Sequence, residues 1–147
     1  MATAVSNTDN RSLVSSIVNG AIAGLVGGAV FGMMMALMGM LPMVAMLVGS
    51  ESAVVGFMVH MAISAFIGAV YGAVASRLPK STGVAIGAGA INGVIWWVLG
   101  ALIMMPLMLG MGDMVFVIGG DQWMSLVGHL IFGVVTGLVF LALSKRS

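Results

Sequence analysis

Two histidines, His60 and His129, are the only ones in this chain, and each opens a similar stretch. One reads HMAISAFIGAVYGAVASR, from His60 to Arg77; the other reads HLIFGVVTGLVFLALSKR, from His129 to Arg146. A glycine follows each histidine at the same interval, Gly68 and Gly137, and an arginine closes each stretch. In an apolar chain an imidazole pair can do three kinds of chemistry. Each neutral ring can hydrogen-bond a carbonyl or a hydroxyl and fix helix register. The pair can ligate a haem b iron from two helices, because haem proteins use histidine axially. The rings can also join thioethers around copper(I), a soft ion that suits both donor types.

The methionines bring the copper chemistry into view. There are 16 of them. Met38, Met40, Met43, Met46, Met58, Met61, Met104, Met105, Met108, Met111, Met114 and Met124 all map to the histidine half of the spans described below. Met40, Met43 and Met46 recur every third residue, as do Met105, Met108, Met111 and Met114. The candidate soft-metal set is His60 and His129 with Met58, Met61 and Met124. Methionine is also a flexible gap-filler, which requires no ligand. A haem needs basic partners for its propionates, and every basic residue lies at the opposite end of the spans. The expectation is therefore two separate structural roles, each ring on its own local acceptor, and no cofactor. Haem b and copper(I) are the alternatives. A shared metal would demand ring nitrogens about 4 Å apart, since metal–nitrogen bonds are near 2 Å.

Other chemistry is sparse. The absence of cysteine removes disulfides, thiolate metal sites and cysteine nucleophiles. No acid falls inside a span, so an acid-based proton relay has no members. The glycines follow apolar helical spacing and not a phosphate-binding loop after a strand. Five basic residues are too few and too dispersed for nucleic acid. Asn19 and Asn92 lie within spans, as interhelical glue or as part of a polar path. Trp123 suits an aromatic belt, whereas Trp96 and Trp97 sit mid-span, where adjacent positions point apart and only one can fill a bundle. No catalytic residue is assigned.

The elements that must position these groups follow from composition. Charged residues make up 6% of the chain, against about 25% in a soluble domain. Such a chain cannot cover a surface in water, so lipid must be its solvent. Apolar runs cover 13–48, 53–75, 83–109 and 122–143, and a span needs about 20 residues. The fold class is an all-α membrane protein with four transmembrane helices. The first and third runs are too long for one straight span. Each carries a proline near its far end, Pro42 and Pro106, where the helix should end or kink. The pieces after them, 43–48 and 107–118, should be interfacial or re-entrant.

Arg11, Arg77, Lys80, Lys145 and Arg146 fall on one side of this arrangement, and Glu51, Asp113 and Asp121 fall on the other. Basic loops stay in the cytoplasm, so both termini should be cytoplasmic. Residues 1–12 form a polar N-terminal tail without the features of a cleaved signal, and 13–147 form a single transmembrane domain. Aligning His60 with His129 matches Gly68/Gly137, Val70/Val139, Ala73/Ala142 and Arg77/Arg146. Aligning Pro42 with Pro106 matches Met40/Met104, Val30/Val94, Ile22/Ile86 and Ala21/Ala85. The order implies two hairpin repeats, about 13–76 and 83–144. Each hairpin holds an even number of spans, so both insert the same way up, related by an axis along the membrane normal.

Small residues recur every four positions: Gly20, Gly24, Gly28 and Gly32; Gly68 and Gly72; Gly89 and Gly93; Gly133 and Gly137. Residues four apart share a helix face. Lipid provides no hydrophobic drive between helices, so backbones must approach closely enough to gain dispersion contacts. These glycines are the expected packing positions, and both histidines stand at the end of such a stripe. The functional expectation is a non-enzymatic scaffold or accessory subunit of the cell (inner or plasma) membrane. Its partners are the lipid bilayer and either further copies of itself or the other subunits of a larger complex. The competing class is a cofactor- or metal-binding protein or a small transporter.

Overall fold

The computed structural model describes residues 2–146, with side chains for residue 10 and for 12–146. Met1, Ser147 and the remaining tail side chains, the expected basic Arg11 among them, lie outside the described residues. Everything regular in it is helical. Four helices are long and apolar enough to cross a membrane: Ser12–Leu37, Ala53–Ala75, Thr82–Met108 and Gly120–Ser144.

Helix α1 (Ala2–Leu37) carries the tail and the first span as one helix. It stops short of the proline. Gly39 is left-handed, with φ +68°. Its N–H donates to Ala36 O at 3.2 Å, and the Met40 N–H donates to Met35 O at 2.9 Å. That reciprocal pattern satisfies the last carbonyls of a helix and needs a residue without a Cβ penalty. Pro42 then opens a new short helix, α2 (Leu41–Ala45), where its missing N–H costs nothing. One face of helix α2 packs into the bundle. Leu41, Val44 and Ala45 are buried, and Leu41 and Val44 share a core with Phe31, Met35, Ile67 and Phe132.

Helix α3 (Ala53–Ala75) returns across the bundle. The loop after it leads to Ser81, whose hydroxyl caps helix α4 (Thr82–Trp96) by accepting the Val84 N–H at 3.3 Å. From Trp97 to Met104 the helix widens to a π-turn, and it finishes as α5 (Met105–Met108). Pro106 lies inside this run and cannot donate to Leu102 O, four residues back. The N–H of Phe116 donates there instead, at 3.2 Å. The segment after α5 is thereby folded back along the third span. Trp97 extends the clamp: its indole N–H donates to Gln122 O at 3.0 Å, and its ring stacks on Trp123 at 6.1 Å. Trp97 is buried and Trp96 half-buried, so of this adjacent pair Trp97 is the one enclosed. Helix α6 (Gly120–Ser144) completes the chain.

Connectivity sets two ends. The α3–α4 loop and the end of α6, with Arg77, Lys80, Lys145 and Arg146, form a basic end; Lys80 Nζ donates to Ser144 O at 2.7 Å across it. Glu51, Asp113 and Asp121 belong to the loops and helix start at the other, acidic end. Helix α1 packs on α3, α4 packs on α6, and α1 also packs on α6, whereas α3 and α4 touch little. The bundle is therefore closed on one side and open on the α3–α4 side. Phe66 and Trp96 meet across that opening, edge to face with centroids 6.2 Å apart.

Candidate functional site

The ten packing glycines all stand at helix–helix contacts. A Cβ on Gly20 would strike the Gly68 carbonyl and Gly72; one on Gly24 would strike Ser64 O and Gly68. Gly28 and Gly32 face Ser64 and the Phe57 and His60 rings. Gly68 and Gly72 face back onto α1. In the other hairpin Gly89 meets Gly133, Gly93 meets the His129 carbonyl, and Gly137 meets Ala85 O. Close backbone approach is what brings the two histidines inward.

His60 is 8% exposed. Its Nε2 lies 3.0 Å from Gly28 O on α1, so that nitrogen carries the proton and donates across the helix interface. The Ser64 hydroxyl is 3.5 Å from the same nitrogen. His129 bonds within its own helix: Nδ1 donates to Ser125 O at 2.7 Å. Each ring thus spends one nitrogen on a backbone carbonyl and keeps a lone pair on the other, Nδ1 of His60 and Nε2 of His129. This is the second-nitrogen anchoring that ligating histidines show, and it also suits a purely structural residue.

The Phe31 ring lies edge-on to both imidazoles, with centroids 5.4 Å from His60 and 5.0 Å from His129. The two imidazole centres can be no farther apart than these two distances combined. Phe31 is seated there because Gly128 on α6 leaves room: a Cβ on Gly128 would collide with the ring. The sequence reading missed Phe31, Gly27 and Gly128, because all three lie off the four-residue stripes. Their signal is a second small face on α1, Ala23 and Gly27, about a quarter-turn from the first.

Both histidines line one cavity of about 420 Å³ between α2, α3, the π-turn and α6. Met35, Met40, Met43, Met104, Met105 and Met108 line it too. The structure thus draws the first two members of each period-three run, Met40 and Met43, Met105 and Met108, toward the histidines, while Met46, Met111 and Met114 stay exposed outside the cavity. It does not bring in Met58, Met61 and Met124, the methionines of the candidate set. Met58 and Met124 are exposed, and Met61 lies beside Gly28 outside the cavity. Among the described residues no group of three or more histidine or acidic side chains is poised for a metal.

A second cavity, about 720 Å³, opens at the basic end, lined by Asn19, Tyr71, Arg77, Lys80 and several serines. Among the described residues, Asn92 Nδ2 and Thr136 Oγ1 are buried without a hydrogen-bond partner, at positions along α4 and α6 between the two cavities. Thr136 is fully buried against Gly27. Compared with known proteins, the chain matches no family model, no curated protein and no solved structure.

Proposed function

We propose that the protein is a non-enzymatic scaffold or accessory subunit of a cell membrane, self-associating or held in a larger membrane assembly. The open α3–α4 side carries this reading. The richest window of the third span is 17% buried within the chain, against 44% for the first span. Lipid readily covers a convex apolar helix. The α3–α4 side is instead concave, with Gly100 and Ala101 set between Trp96 and Met104. Small residues in a recess admit the side chains of a neighbouring transmembrane helix, the contact that association in lipid depends on.

The orientation belongs to the same proposal. The basic end faces the cytoplasm, which places both termini there. The hairpins 13–76 and 83–144 are two parallel repeats. Reporter fusions after residue 147 and beside Asp113 should then signal opposite compartments; the same compartment would refute the topology. For association, the cysteine-free sequence is an advantage. A benzophenone–maleimide on Gly100→Cys should photo-cross-link to a discrete partner or second copy in native membranes. The same probe on Val26→Cys, on another exposed face, should not. Equal labelling at both, with a monomer in nanodiscs, would overturn the scaffold reading.

The methionine–histidine cavity favours a second reading, a copper(I) site. The residues lining it include two imidazoles, each with one ring nitrogen not bonded to a carbonyl, and six methionines, and thioether with imidazole is a donor set that suits copper(I). The same space suits haem less well, because Phe31 packs edge-on against both rings and, among the described residues, no lysine or arginine lines the cavity to meet propionates. Purified protein should then hold copper(I) against a competing chelator, with sulfur and nitrogen scatterers in X-ray absorption. Complete loss of copper to the chelator would leave the histidines their structural bonds alone.

A further inference from the structure

We infer that the cavity at the basic end is a binding site for a phosphate-bearing anion, of the chemistry of an anionic lipid headgroup or free phosphate. Its walls are the start of the first span in α1, the end of α3, the Arg77–Ser81 loop, the first turn of α4 and the end of α6. In a chain with 6% charged residues, this one space gathers Arg77, Lys80, Ser81, Ser144 and the Tyr71 phenol. No carboxylate of a described residue lines it.

The details suit an anion. Helices α3 and α6 both end here, and the free carbonyls of a helix end repel negative charge. Lys80 cancels part of that for α6 by donating one N–H to Ser144 O at 2.7 Å. That bond holds the ammonium at the cavity wall, and an ammonium has two further N–H groups to offer an acceptor. Arg77 has no ion pair among the described residues, and its planar fork matches phosphate oxygens in pairs. The start of α4 adds the positive end of a 15-residue helix at the same wall.

Tyr71 provides depth. It lies one turn inside the end of α3, 6% exposed, and its ring packs edge-on to Phe140 at 5.7 Å. The hydroxyl reaches toward Gly137, where a Cβ would come within 3.1 Å of it. Glycine at that position leaves room for the phenol at the floor of the cavity. The site therefore has two cations at its rim and a neutral donor at its base. Arg77 and Lys80 also serve as topogenic charges, which explains the rim but not the buried phenol.

The test compares variants of equal charge. Purified protein in nanodiscs would be titrated with anionic lipid against a phosphatidylcholine background and read by native mass spectrometry. Arg77→Gln/Lys80→Gln should weaken retention of anionic lipid by roughly tenfold or more. Lys145→Gln/Arg146→Gln removes the same charge at the same end, outside the cavity, and should change it by less than about twofold. Tyr71→Phe keeps every charge, so topology is untouched, and should still weaken retention measurably. A second arm titrates inorganic phosphate without anionic lipid. Saturable phosphate binding lost in Tyr71→Phe would name the free anion as ligand; lipid retention without it would name the headgroup. Equal losses in the two charge pairs would reduce the effect to diffuse attraction and overturn the site. So would no binding in either arm.

Discussion

The two hairpins use the same letters for different work. In the first, α1 and α3 interlock through Gly20, Gly24, Gly68 and Gly72, each meeting the other's backbone. In the second, α4 and α6 interlock through Gly89, Gly133 and Gly137. There the equivalence stops. Helix α1 has a further small face, Ala23 and Gly27, that packs on α6, while the matching side of α4 stays open. His60 reaches across to another helix, and His129 bonds back into its own. Paired sequence features thus settle how each hairpin closes, and not how the hairpins meet. A single helix with two small faces decides that, and it leaves the α3–α4 side open.

The largest test of this asymmetry is steric. Gly24→Leu puts a side chain into Ser64 O and the Gly68 backbone, where neither neighbour can yield. It should cost at least the ~1–3 kcal/mol typical of overpacking. Gly87 lies on α4 with nothing within 4 Å of its Cβ position. Gly87→Leu should be neutral, or stabilising by up to about 1 kcal/mol through helix propensity. Unfolding in mixed micelles measures both. Equal destabilisation would mean that the α4 face is covered and the asymmetry false.

The histidines give a smaller, sharper contrast. Both rings touch Phe31, so that contact cancels between His60→Ala and His129→Ala. What differs is the interhelical bond to Gly28 O. Such bonds inside membrane proteins average about 0.6 kcal/mol and reach roughly 1.7. His60→Ala should be the more destabilising of the two by that amount. If His129→Ala costs as much or more, His129 has a partner beyond Ser125, as a bound soft metal would provide.

The four spans were legible from hydropathy because lipid imposes a length on any apolar run. Gly24 and Gly68 were legible because period four marks one face of one helix. Phe31 was not legible. A stripe records a helix's own face and says nothing about which neighbour covers it, and in lipid every face is apolar. Nothing in the letters of Phe31 and Gly128 pairs a ring in the first span with a gap in the fourth. Which methionines line the histidine cavity was not legible for the same reason. Met58 and Met61 are near His60 in the chain but lie outside its cavity, whereas Met104 and Met105 arrive there through a π-turn that no periodicity announces.

The prolines make the finest comparison. Each hairpin places one at the same sequence interval, and the sequence reading treated them alike. Pro42 opens a separate helix after a glycine-terminated end, at a position whose N–H has no helical partner anyway. Pro42→Ala should therefore be nearly silent. Pro106 lies within a continuing helix and deprives Leu102 O of its donor four residues on, and Phe116 takes that place from a loop. Pro106→Ala restores an N–H that competes for the same carbonyl. The third span should gain regularity while residues 109–119 lose an anchor. Global stability should move by less than about 1 kcal/mol, because one hydrogen bond replaces another. Hydrogen exchange should show the effect instead: faster exchange at Phe116 in Pro106→Ala, and no change there in Pro42→Ala. Unchanged protection at Phe116 would mean that the loop is held by the Trp97–Gln122 bond and the Trp97–Trp123 stack alone. The proline would then be tolerated by the π-turn and would play no part in folding the loop back.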